Sequence, residues 1–98
     1  MANKIYIEPE HLISEFARIK NKNFLTFSEL IYLAKLLRDK SQQEHKRIIV
    51  NINQYTIERA LRFYYQYFDT INDYIVINKI PANNLSDDAR QYIHDILV

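Results

Sequence analysis

Residues 47–81 read RIIVNINQYTIERALRFYYQYFDTINDYIVINKIP, and this stretch decides the fold. Its start, Arg47-Ile48-Ile49-Val50, is rich in β-branched residues and predicts a short strand. Asn53 follows as a helix N-cap, with Ile52 and Ile57 in the positions of a hydrophobic staple. A helix over 54–68 would spread Ile57, Ala60, Leu61, Phe63, Tyr64, Tyr65, Tyr67 and Phe68 over an apolar arc of about 200°, wider than a surface helix needs. Tyr55, Glu58, Arg59, Arg62 and Gln66 take the narrow polar side. Asp69-Thr70-Ile71-Asn72 reads as a turn, and Asp73 to Ile80 as the longest strand, stopped by Pro81.

The flanking sequence adds helices on both sides. Lys4-Ile5-Tyr6-Ile7 is a short strand candidate, and Pro9 suits the first position of a helix that Leu12, Ile13, Phe16 and Ile19 carry to about Lys20. Thr26 and Glu29 form a capping box, with Leu25 and Leu30 as its staple. Phe27, Leu30, Ile31, Leu33, Ala34 and Leu37 make the apolar face of this second helix, which is expected to fray in Lys40-Ser41-Gln42-Gln43-Glu44. Ser86, with Asp87 and Asp88 in the first turn, starts a last helix whose buried face is Ala89, Tyr92, Ile93, Ile96 and Leu97. The order β-α-α-β-α-β-α describes one α+β domain over residues 1–98, four helices packed on a short two- or three-stranded sheet.

Composition narrows the chemistry. In 98 residues there is no cysteine, which excludes disulfide frameworks, thiolate metal sites and cysteine nucleophiles. There is no glycine either, which excludes phosphate-binding loops, dinucleotide turns and glycine-flanked nucleophile elbows. Asparagine is then expected to do glycine's work in turns, at Asn21, Asn23, Asn51, Asn72, Asn83 and Asn84. No signal peptide or membrane-length apolar run is visible, so the expectation is an intracellular protein without a membrane partner. The lean towards Ile, Asn, Tyr and Lys, residues with AT-rich codons, suits a low-GC bacterial, plasmid or viral genome.

The net charge of +1 is unevenly spread. Residues 1–50 carry nine basic and six acidic side chains, residues 51–98 four and six. The stretch 38–47 concentrates Arg38, Lys40, Lys46 and Arg47 between a helix end and a strand, where they could line a phosphate backbone. Cations near a helix C-terminus are also simply stabilising there. The polar side of the third helix offers Tyr55, Arg59, Arg62 and Gln66 to a groove. A winged helix is not expected, because the third helix lies between the strands and leaves no uninterrupted hairpin. Phe63, Tyr64, Tyr65 and Tyr67 have three readings: core, homodimer seam or base-stacking surface.

His11, His45 and His94 are dispersed, and the acidic pairs Glu8/Glu10 and Asp87/Asp88 sit where helix starts explain them. No catalytic residue, metal, cofactor or small-molecule substrate is expected. Two functions remain: a nucleic-acid-associated regulator with DNA as partner, touching phosphates through 38–47, and a homodimeric interaction or adaptor module using the tyrosine-rich helix 54–68.

Overall fold

A computed structural model describes residues 4–45 and 47–98. Along the chain lie β1 (Ile5–Ile7), α1 (Pro9–Lys20), β2 (Phe24–Thr26), α2 (Phe27–Gln43), β3 (Ile48–Val50), α3 (Gln54–Phe63), β4 (Phe68–Ile71), β5 (Tyr74–Ile77) and α4 (Asp87–Leu97). The α+β class, the four helices and their order with the expected strands all hold. Two further strands, β2 and β4, are interpolated, and the strands divide into two small sheets.

Local chemistry sets the helix starts. Pro9 opens α1, and the Glu8 amide donates to Nδ1 of His11 at 3.1 Å. At α2 the Thr26 hydroxyl accepts from the Glu29 amide at 3.0 Å, and the Glu29 carboxylate accepts from the Thr26 amide at 3.1 Å. Asn53 and Thr56 make the same reciprocal pair at α3, 3.0 and 2.8 Å, and Ser86 caps α4. Each such cap supplies partners for amides that the first helical turn leaves open. α2 does not fray at Lys40 but runs to Gln43. Ser41 is buried there and donates to the Ile48 carbonyl, tying the last turn to β3.

β1 and β3 pair in parallel, with Ile5 opposite Ile48 and Ile7 opposite Val50. The second sheet is antiparallel in the order β2-β5-β4. Its inner face buries Leu25, Phe68, Ile75 and Ile77 in one core with Leu12, Ile13 and Phe16 of α1, Leu30, Ala34 and Leu37 of α2, and Ile93 of α4. α1 is the central helix, packed on α2, α3 and α4. Glu15 fastens α1 to α4: only 3% exposed, its carboxylate lies 3.5 Å from Arg90 of α4 and 3.4 Å from Arg18 on its own helix.

Three expectations are corrected. The third helix ends at Phe63, five residues early, and residues 64–67 form a turn. No local breaker ends it; the Tyr67 carbonyl accepts from the Asn78 and Lys79 amides, and Phe68 enters the core opposite Ile77. Strand pairing therefore overrides helical periodicity. The segment read as the turn 69–72 is mostly β4, hairpinned to a β5 shorter than the expected 73–80. Of the six turn asparagines only Asn21 (φ 53°) and Asn72 (φ 56°) are left-handed; His45 (φ 54°) is the other such residue among those described. Asn72 opens the two-residue hairpin loop, a place that otherwise favours glycine.

Candidate nucleic-acid interface

The two basic regions singled out in the sequence meet different fates. Arg38 projects from α2 onto backbone: its guanidinium donates to the carbonyls of Val50 (3.2 Å) and Ile52. Lys40 lies 3.0 Å from Glu44 and 3.9 Å from Asp95, with its ammonium 5.1 Å from the centre of the Tyr92 ring. Lys46 lies outside the described residues. Arg47 is exposed and borders an open groove of about 680 Å³ that Lys40, Glu44, Asp88, Tyr92 and Asp95 also line. Among the described residues its carboxylates Glu44, Asp88 and Asp95 stand beside Lys40 and Arg47 and offset their charge. Burial, followed by the nearby Glu44 carboxylate, pushes the Tyr92 phenol up to about 12.

α3 is different. Thr56, Ile57 and Ala60 bury one face, which leaves Gln54, Tyr55, Glu58, Arg59, Arg62 and Phe63 exposed. Tyr55, Arg59 and Arg62 are spaced i, i+4, i+7 and so form one stripe along the helix. The Arg59 guanidinium sits 5.7 Å from the centre of the Tyr55 ring, a cation–π contact that orders it without neutralising it. Glu58 could have paired with Arg62 but accepts from Gln54 instead, at 2.9 Å. Among the described residues neither Arg59 nor Arg62 has an ion pair, whereas Arg18, Lys40 and Arg90 do. Gln66 lies beyond the helix end, in the turn, with its amide 3.4 Å from the Tyr65 hydroxyl.

The aromatic run divides. Tyr64 and Tyr67 are half-buried and pack on the core, their rings 6.1 Å apart and both against Phe68. Burial, and then the Glu10 carboxylate, raise the Tyr64 phenol above its usual value. Phe63 and Tyr65 point outward, 78% and 68% exposed, so the core reading fails for these two. Glu8, Glu10, Arg59, Phe63 and Tyr64 share a shallow groove between the start of α1 and α3.

α3 runs directly into the β4–β5 hairpin, contrary to the expectation that no hairpin follows it. From α1 onward the order is α1-β2-α2-β3-α3-β4-β5-α4, with β2 beside β5 and β5 beside β4. The connection from α2 to α3 is longer than a tight turn, ten residues that include β3. Sequence reasoning missed this hairpin and passed over Gln54. The signal present was Asn72-Asp73 between two apolar runs.

Among the described residues no cluster of three or more His, Asp or Glu side chains could hold a metal ion, and no helix is long and apolar enough to cross a membrane. No family model, curated protein or solved structure matches this chain.

Proposed function

We propose that this chain is a binding module for double-stranded nucleic acid, working inside the cell, that lays the outward stripe of α3 against its target. The observation that carries the reading is the pair of exposed, unpaired guanidiniums of Arg59 and Arg62 beside Tyr55. A helix of that kind fits the major groove, where arginine reads guanine edges or holds phosphates. The hairpin that follows α3 adds an analogy with a winged helix, in arrangement alone and with β3 standing between α2 and α3. The reading moves the contact away from 38–47, whose Arg38 and Lys40 already have partners inside the molecule. Arg47 remains a candidate for an outer phosphate.

Fluorescence anisotropy of a labelled random-sequence duplex, titrated at several salt concentrations, tests it. Affinity should fall with salt at a log–log slope of about −2 to −4, as for two to four phosphate contacts. Arg59→Ala with Arg62→Ala should weaken binding at least tenfold and flatten the slope by about 1 to 2. Absence of binding at low salt, where electrostatic attraction is strongest, would remove the reading.

A second reading rests on Phe63 and Tyr65, which stand exposed at the end of the same helix. Tyr, Phe and Arg together are the composition of protein-interface anchors. It predicts that Phe63→Ser abolishes self-association or partner capture and leaves any duplex binding unchanged.

A further inference from the structure

The three most exposed aromatic rings among the described residues are Phe63 (78%), Tyr65 (68%) and Tyr55 (64%). All three lie on α3 or in the turn that ends it, with Arg59 and Arg62 between them in the chain. Tyr55, Arg59 and Phe63 are spaced i, i+4, i+8, one row along the helix in which a cation separates two rings. Each ring has a support. The Arg59 guanidinium lies 5.7 Å from the centre of the Tyr55 ring. Phe63 packs at 5.4 Å on Tyr64, itself half-buried on the core, and the Gln66 amide donates to the Tyr65 hydroxyl at 3.4 Å. Support of this kind lowers the cost of ordering a ring on a partner.

We infer that the end of α3 is a stacking platform for unpaired bases, so that the target is a duplex with a single-stranded tail. The inference rests on the duplex reading above and names the form of duplex it favours. Tyr55, Arg59 and Arg62 serve the paired part. Phe63 and Tyr65 cannot, because a base within a duplex has both faces covered by its neighbours, and a ring stacks only where a face is open. Rings interleaved with unpaired guanidiniums meet both needs of a single strand, stacking for its bases and cations for its phosphates. Glu8 and Glu10 border the row on its α1 side and repel phosphates there, which sets the backbone of the tail on the side of Arg62.

Four labelled targets test this in anisotropy titrations: a blunt duplex of about 20 base pairs, that duplex with a tail of about six thymidines, the same with a tail of abasic sites, and the free thymidine strand. The abasic tail keeps the phosphates and removes the bases. The thymidine tail should tighten binding about tenfold over the blunt duplex, and the abasic tail should give little of that gain. Phe63→Ser with Tyr65→Ser should bring the tailed duplex down to the affinity of the blunt one, with the thermal transition retained. Phe63→Trp places a single tryptophan in a chain that has none. It should keep the gain, and its fluorescence should be quenched by the thymidine tail and not by the abasic one. Equal affinity for the blunt and thymidine-tailed duplexes overturns the inference and leaves the duplex reading standing. So does a gain that the abasic tail reproduces, or one that survives Phe63→Ser with Tyr65→Ser. Loss of self-association as the only effect of that double variant also overturns it, because Phe63 is then a protein seam. Binding of no target at low salt, or of the free strand as tightly as the tailed duplex, removes the inference and the reading together.

Discussion

Two arginine-bearing segments, 38–47 and α3, look alike in sequence and behave oppositely in the structure. On the first, Arg38 donates to two backbone carbonyls, and Lys40 is shared between two carboxylates and an aromatic ring. On the second, Arg59 and Arg62 are exposed and, among the described residues, take part in no ion pair. The difference lies in what surrounds each helix. α2 is flanked by β3 and α4, which supply carbonyls and carboxylates within reach. The outer stripe of α3, Tyr55, Arg59 and Arg62, is exposed. A charge is available to a partner only where the fold has not already paired it, and residue counts along a sequence do not report that.

The largest effect that could break this contrast is on stability. Arg38→Ala leaves the Val50 and Ile52 carbonyls without their charged donor, and we expect a loss of about 2–3 kcal/mol in urea unfolding. An unchanged midpoint would mean that Arg38 is as free as Arg59. The converse comes next: Arg59→Ala with Arg62→Ala should change stability by less than about 0.5 kcal/mol, while lowering duplex affinity tenfold or more. Equal losses of stability and affinity would show that α3 is held by its arginines.

Tyr92 sharpens the contrast from the other side. Its phenol is raised to about 12 by burial and then by Glu44, so the folded chain holds that proton more tightly than the unfolded one does. The associated stability is complete below the ordinary tyrosine value, near 10, and is lost as pH rises towards 12. Urea midpoints measured from pH 9 to about 12 should therefore fall, and Tyr92→Phe should flatten that fall. A variant with the wild-type slope would put the titrating group elsewhere. The smallest effect is that of Lys40→Met. Its partners Glu44 and Asp95 are partly exposed, and we expect a change below about 1 kcal/mol, diminished further by salt.

Much of the fold was legible because its signals are local. The capping box Thr26/Glu29, the N-cap Asn53, the staples Leu25/Leu30 and Ile52/Ile57, and the helical spacing of α1 and α4 all lie within a few residues of one another. What was missed depends on partners far along the chain. β2 is three residues wedged against a cap, and only its pairing with β5, some fifty residues on, makes it a strand. β4 begins inside an aromatic run that reads as helix, and the hydrogen bonds from Asn78 and Lys79 to Tyr67 end that reading. The candidate site was legible in part. Tyr55, Arg59 and Arg62 follow from helical spacing alone, whereas the engagement of Arg38 by carbonyls twelve and fourteen residues away has no local signature.

The placement of Arg38 and Ser41 has a consequence for aggregation. In the parallel pair, β3 bonds to β1 through residues 47, 49 and 51, so the carbonyls of Ile48 and Val50 point to its open side. Ser41 and Arg38 donate to those two carbonyls from α2. The two carbonyls on the open side of the strand are therefore already engaged, and an unfolded neighbour finds no row of free acceptors on which to add a strand. Where larger sheets blunt an edge with a bulge or a proline, this one uses two side chains of a passing helix. A short hydrophobic strand, Ile48-Ile49-Val50, thus sits at a sheet margin with its outward acceptors taken.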